Sequence, residues 1–327
     1  MFSLIVNFYI MKQFLFFFLL ISFSTISQNF ENVDNIVLKY PKFSKVEDLA
    51  SRIEKDFSKD EEKVRAAFFW LAKNIRYNLK EYFNPKTRSY RFSYSNEAEK
   101  LAKMKAAKDK IITIAFRTKK GVCEEYAQAF KKICDLLQIE AKVIKGYVRN
   151  LPSEIGKPKR ESNHAWNAVK LNNKWLLLDA TWAAGFEENG KWIQKFNNYF
   201  YNIPKEKIFK THFPENTIWV LRFGRITKEE FYNQPIYGQE FLASNIELIS
   251  PKNGIINIEK DKNIVLKFKK LNSNSSFIYS FKETKYAKKP LLETINNITT
   301  LTIPNPNKNS ELYLFLNNKI ALQFKIE

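Results

Sequence analysis

Several scarcities frame this chain of 327 residues: two cysteines, two histidines, three methionines and only eight glycines. Four Cys and His residues without ligand spacing make no metal-binding pattern, and no glycine-rich phosphate loop occurs, so no metal or cofactor is expected. Acid is also short, with 54 Lys and Arg against 34 Asp and Glu, a formal net charge of +20. Such a surplus can attract nucleic acid, acidic polysaccharide or anionic lipid. Here the basic residues are scattered and no arginine-rich or aromatic-spaced motif accompanies them, which argues against a nucleic-acid partner and for a solvated surface. What the chain does have is apolar mass: 45% hydrophobic and 15% aromatic residues. That composition belongs to a globular protein, and the length suffices for two domains.

The N-terminus reads as an address. Met11-Lys12-Gln13 precedes an apolar run from Phe14 to Phe23, and small and polar residues follow to Ser27-Gln28. A positive start, a ten-residue apolar core and a small-residue exit describe a secretory signal peptide, with Met11 as the start and cleavage near Ser27. A membrane span from Met1 to Ile26 is the competing reading, and Lys12 in its middle opposes it. The expected location is therefore exported: periplasmic, cell-surface or secreted. An uncleaved segment would be the chain's one membrane contact.

The rest is organised around Gly121-Val122-Cys123-Glu124-Glu125-Tyr126-Ala127. From Tyr126 the apolar residues fall at Tyr126, Phe130, Ile133 and Leu137, one face of a helix. Gly121 precedes it, where a flexible residue can make the entry turn. Cys123 lands in the first turn, beside unpaired N–H groups and the positive end of the helix dipole, and both favour the nucleophilic thiolate. A small buried hydrophobe is the alternative for any free cysteine. Eleven residues of helix would hold Cys123 and Cys134 roughly 16 Å apart, too far for a disulfide, which needs Cα atoms within about 7 Å. Cys134 is assigned to the core.

Upstream, Ile36 to Tyr40 reads as a short extended lead. Ser44-Lys45-Val46-Glu47 and Ser58-Lys59-Asp60-Glu61 read as capping boxes, each opening an amphipathic helix; the second ends near Tyr77. Residues 78–95 read as loop and 96–116 as helix. Downstream, Ala141 to Val148 has strand character and Leu151 to Ser162 is a surface loop. Ala165–Leu171 and Trp175–Trp182 form a hairpin about Asn172-Asn173, since Asn tolerates positive φ. A two-residue loop pairs Leu171 with Lys174, which sets Asp179 opposite Trp166 and Thr181 opposite His164. His164 and Asp179 then share a face as diagonal neighbours within side-chain reach. An acid ending so apolar a run needs a partner. His212, beside Phe213-Pro214 and without a spaced carboxylate, is read as structural. Pro235 and Gly238 mark a boundary, and from Asn245 strand candidates Ile246–Ile249, Ile264–Phe268, Phe277–Phe281, Thr299–Ile303, Leu312–Leu316 and Ala321–Ile326 suggest an immunoglobulin-like sandwich.

A cysteine nucleophile needs a base and a group that orients the base. Cys123, His164 and Asp179 can supply these roles. Gly121–Ala127, Asn163–Val169 and Trp175–Trp182 together resemble the three motifs of the transglutaminase-like superfamily, nearest the branch with the kyphoscoliosis peptidase and a fungal cytokinesis protein. Phe68–Tyr77 is similar to that family's leading helix, and Phe200–Pro204 through His212, Pro214 and Trp219 to the segment after its core. The resemblance implies an α+β, papain-like core with Cys123 as nucleophile, His164 as base and Asp179 as orienter. Two residues depart from it: Glu125 stands where glycine is common, and Ala180 where proline is common. The implied reaction is acyl transfer on protein or peptide amides, with water (protease or amidase) or a lysine amine (transglutaminase) as acceptor. A catalytically silent peptide-binding scaffold is the alternative. The expected organisation is a signal peptide at 1–27, a helical lead-in at 28–59, the transglutaminase-like domain at 60–240, and a β-sandwich at 245–327 that could make surface or protein contacts.

Overall fold

A computed structural model describes residues 30–84, 93–222, 224–272 and 274–327. The apolar segment read as a signal peptide lies outside the described residues. None of the described helices is long and apolar enough to cross a membrane.

The chain opens with α1 (Glu31–Val37), α2 (Val46–Asp56) and α3 (Asp60–Asn74). The extended lead expected at Ile36 to Tyr40 is instead the end of α1 and the turn after it, and Val33 and Val37, one turn apart on that helix, are buried. Neither expected capping box forms. Lys45 and Lys59 occupy the N-cap positions without a side-chain cap, and acids in the first turns (Glu47 and Asp48; Asp60, Glu61 and Glu62) face the helix dipole instead. In α3, Val64, Phe68 and Leu71 are buried on the expected face, but Ala66, Phe69, Trp70 and Ala72 are buried too. Other elements cover this helix on nearly every side. It stops at Asn74, three residues before the expected end, because Arg76–Tyr77 (β1) pairs in parallel with Lys120–Gly121 (β2). Within the stretch expected as loop, Leu79–Phe83 forms α4, capped by the Asn78 side chain. The long α5 (Glu97–Thr118) runs as expected, with Asn96 as its cap.

β2 leads directly into α6 (Cys123–Leu136), whose Tyr126, Phe130 and Ile133 are buried as the spacing requires. Next comes an antiparallel sheet of β3 (Ala141–Val148), β4 (His164–Leu171), β5 (Lys174–Leu178) and β8 (His212–Pro214), in the order β5-β4-β3-β8. Asn172 and Asn173 have φ of 48° and 59°, and Leu171 pairs with Lys174, the expected hairpin and register. The ladder ends at Asn167 opposite Leu178. Asp179 leaves the sheet to cap α7 (Ala180–Ala184), so Thr181 sits in a helix and not across from His164, whose ladder partner is Gly146 on β3. Between β5 and β8 lies a small hairpin, β6 (Gly185–Glu188) with β7 (Lys191–Gln194).

Two apolar cores result. One gathers residues from Val33 to Tyr232 between the helices and the β3–β5 sheet; the other runs from Phe241 to Ile326. Around the second, β10 (Glu247–Ser250), β12 (Ile264–Lys269), β15 (Ile298–Ile303) and β14 (Leu291–Ile295) form one sheet. The other contains β11 (Ile255–Ile256), β17 (Lys319–Ile326), β16 (Ser310–Leu316) and β13 (Phe277–Phe281), with β9 (Ile236–Tyr237) also on β17. Leu266, Phe268 and Leu301 of one sheet pack with Leu312, Leu314 and Phe324 of the other, which makes a sandwich of two sheets, antiparallel except where β11 runs parallel to β17. Strand β14 was not expected, since all five of its residues are exposed and carry no alternation. The two cores are tied by Arg149, which donates to the carbonyls of Tyr232 (3.0 Å) and Gln234 (2.6 Å) just ahead of β9.

Candidate active site

Cys123 is the first residue of α6 and is partly exposed. The Val122 N–H at the N-cap donates to Glu125 Oε2 at 2.9 Å, so the residue that departs from the family pattern caps this helix. Gly121 is required for space and not for a special φ: a Cβ there would lie 2.7 Å from Glu125 Cβ. The two residues are fitted to one another. Ala180 is the first residue of α7, a position where proline suits but where alanine's N–H needs no helical acceptor.

Asp179 is fully buried, and its carboxylate makes four hydrogen bonds. Its Oδ1 accepts the N–H groups of Thr181 (2.8 Å) and Trp182 (3.0 Å), capping α7. Its Oδ2 meets His164 Nε2 at 2.6 Å and His212 Nε2 at 3.0 Å. An ionised carboxylate can only accept, so both Nε2 atoms carry the proton. Burial pushes the Asp179 pKa up, but the charge and hydrogen bond of His164, and then those of His212, hold it well below the ordinary carboxylate range. For His164, burial alone lowers the pKa; the charge and hydrogen bond of Asp179, followed by those of Cys123, outweigh this and raise it to about 10. With Nε2 committed to Asp179, Nδ1 is the nitrogen left for the Cys123 thiol.

His212 behaves differently. Burial, the largest influence, keeps its pKa below 6.5 against the pull of Asp179, and the charge of His164 lowers it further. Its Nδ1 lies 2.8 Å from Thr211 Oγ1, whose O–H can donate to it and leave the ring neutral. One imidazole is thus poised to carry charge and the other is a neutral support for the same carboxylate oxygen. Trp166 and Trp182 wall both rings, with centroids 6.1 and 5.9 Å from His164 and 4.9 and 4.8 Å from His212. Trp166 reaches this place because Gly146 has no side chain: a Cβ there would come within 2.5 Å of the indole. Indole walls exclude water and strengthen the charge interactions they enclose.

The structure therefore brings Cys123, His164 and Asp179 together and adds His212, which the sequence left as structural. The pairing of β8 with β3 sets Val148 opposite His212, and no local spacing could announce it. The available signal was the likeness of the His212 segment to the stretch after the family's core. Among the described residues, His164, Asp179 and His212 are also the group whose ligand atoms, within 4.8 Å of one another, could hold a metal ion. Chain spacing did not foresee that convergence. Both Nε2 atoms point their protons at Asp179, which is the geometry of a hydrogen-bonded cluster. Cys134 is fully buried, and burial pushes its thiol far above the ordinary range.

A cysteine opening a helix, set against an antiparallel sheet that offers histidine and aspartate, is the arrangement expected of a transglutaminase-like cysteine protein. The particular family follows from comparison with known proteins. Residues 47–180 match the model of the transglutaminase-like superfamily. It is similar to the kyphoscoliosis peptidase of Homo sapiens, 25% identical over 232 residues, 70% of this chain and 32% of that protein. It is also similar to cytokinesis protein 3 of Schizosaccharomyces pombe, 34% identical over 99 residues, 29% of this chain and 11% of that one. The chain spans about a third of the length of the kyphoscoliosis peptidases it matches. A crystal structure of a TGase is 17% identical, covering 54% of this chain and 38% of that chain, and its TM-score of 0.28 is too low to add weight.

Proposed function

We infer that this protein is an exported cysteine acyl-transfer enzyme acting on protein or peptide amides, with Cys123 as nucleophile, His164 as general base and acid, and Asp179 as the group that orients it. The observation that carries this reading is the 2.6 Å contact between His164 Nε2 and a fully buried Asp179, in a site where Cys123 lies near enough to help raise the pKa of the same imidazole. A buried carboxylate committed to one ring nitrogen fixes the tautomer and the direction of the other. Export rests on the pattern of residues 11–28 alone.

In the reaction, the proton of the Cys123 thiol rests on His164 Nδ1, the ring whose pKa is raised, and the thiolate attacks the amide carbonyl carbon. The C–N bond breaks as His164 returns the proton to the departing amine, leaving a thioester on Cys123. Water or a lysine amine then attacks the thioester, His164 accepts its proton, and the thiolate leaves. The Cys123 N–H, first in its helix and without a helical acceptor, is one donor for the oxyanion.

The test is alkylation by iodoacetamide, with the labelled site read by mass spectrometry. The reading expects Cys123 to label well above the rate of a free thiol near neutral pH, and His164→Ala to remove the excess. Labelling no faster than a free thiol would leave a non-catalytic scaffold.

A further inference from the structure

Along the strands that lead into the cysteine helix lies a cleft of about 470 Å³ whose lining includes Arg76, Lys80, Lys120 and Lys191, the rings of Tyr77 and Trp192, and no acid. Tyr77 stacks on Trp192 with centroids 5.2 Å apart, forming a firm aromatic floor. That floor adjoins the strand ahead of the nucleophile, since Tyr77 pairs with Gly121, two residues before Cys123. Burial, and after it the charge of Cys123, push the Tyr77 phenol well above its ordinary range, which agrees with that proximity.

In a chain of net charge +20, an exposed lysine by itself needs no explanation. What marks these four cations is that they line one concavity. Lys131, Lys132, Lys282 and Lys319 each have a carboxylate partner at 3.0 Å or less. Arg76, Lys80, Lys120 and Lys191 have none among the described residues, although they converge on one concavity. The acids on the same elements do not neutralise them: Glu81 is bonded to Asn78 at 3.0 Å, and Glu188, across the ladder from Lys191, makes no ion pair with it.

We propose that this cleft is a substrate subsite that selects an acidic side chain, Asp or Glu, on the peptide flanking the amide that Cys123 attacks. The aromatic floor takes the stem of that side chain, and the unpaired cations take its carboxylate. The proposal rests on the acyl-transfer reading for its chemistry, but its charge preference can be measured separately.

The probes are tetrapeptide chloromethyl ketones that alkylate Cys123. Glu is placed at each peptide position in turn, with Gln and Lys analogues as controls, and the second-order labelling rate is measured on the full chain. The expected result is one position at which Glu labels about ten-fold faster than Gln and Lys labels slower, with the preference shrinking as salt rises. The triple variant Lys80→Gln, Lys120→Gln, Lys191→Gln, all exposed positions, is expected to abolish the preference and leave iodoacetamide labelling unchanged. The triple Lys285→Gln, Lys288→Gln, Lys289→Gln, exposed on the C-terminal sandwich, is expected to keep it. Equal rates for Glu and Gln at every position, or equal loss in both triples, overturn the subsite. Slow iodoacetamide labelling with an intact Glu preference overturns the acyl-transfer reading alone.

Discussion

The two cores of this protein bury different things. Among the described residues of the C-terminal sandwich the buried polar ones are Thr299, Ser310 and Gln323, none of them ionisable. In the helix-and-sheet core they include Glu125, Arg149, His164, Asp179 and His212. Burying a charge is costly unless it is paired and hydrogen-bonded, so a cluster of such groups is an investment that packing alone does not explain. The sandwich strands alternate instead: β12 and β16 bury every second residue, as one-sided sheets do. Strand β4 is buried at nearly every position, with layers on both faces and polar groups threaded between them. The contrast separates a region packed on apolar side chains from one that also buries a cluster of paired ionisable groups.

The sharpest test of that contrast is Cys123→Ala. It should reduce any acyl-transfer turnover by on the order of 10³-fold or more, while denaturant unfolding stays near that of the parent protein. Loss of fold in this variant would mean that the thiol is packing and not chemistry. Next in size is Asp179→Ala, which strands two imidazoles and uncaps α7. It should cost about 3–5 kcal/mol in urea unfolding, the usual range for breaking a buried charge pair. Leu301→Ala in the sandwich should cost a similar 2–5 kcal/mol by leaving a cavity. Only the Asp179 change should slow alkylation of Cys123 in molecules that are still folded.

The pH dependence follows from the signs of the shifts. His164 has its folded pKa raised from 6.5 to about 10, so its contribution to stability is complete below 6.5 and is lost as pH rises through 10. Asp179 has its pKa lowered from 3.8, so its contribution is present above that value and is lost in more acidic solution. His212 is lowered, so its contribution is present above 6.5 and declines below it. The stability difference between the parent protein and His164→Gln should therefore shrink from pH 6.5 to 10, and that of His212→Gln should shrink below 6.5. Opposite slopes in urea titrations would reverse the assigned charge states.

A smaller effect is expected for His212→Ala, which removes one of two imidazole donors to Asp179 Oδ2. Labelling of Cys123 should slow on the order of ten-fold, the kinetic equivalent of about 1.4 kcal/mol, close to one hydrogen bond. His212→Gln, whose amide can still donate, should recover part of it. Smallest is Asn318→Ala in the sandwich turn, where φ is 64°. It should cost about 1–2 kcal/mol of stability and leave Cys123 reactivity unchanged, because this turn touches nothing in the site.

Legibility in the sequence followed local periodicity. The helix of Tyr126, Phe130 and Ile133, the Asn172-Asn173 turn with its register, and most sandwich strands were readable because each leaves a pattern within a few residues. The helix at Glu31–Val37 was not, since its apolar content is little more than Val33 and Val37. The capping boxes failed for another reason. A Ser two residues ahead of the first helical turn matches the motif, yet the chain places Lys45 and Lys59 at the cap. Strand β14 was invisible because an exposed edge strand has no buried face to mark it.

For the site, Cys123, His164 and Asp179 could be named in advance because each lies in a motif of local character: a helix start and the two arms of a hairpin. The sequence alone determined which residues could meet. The tertiary structure decided how they meet. It ended β5 at Leu178 so that Asp179 turns to cap α7, laid β8 beside β3 so that His212 shares the carboxylate, and cleared Gly146 so that Trp166 closes over both rings. The physical reason is that helix and hairpin contacts are set by the 3.6- and two-residue periods of the chain. Contacts between distant strands are set only by how whole layers pack.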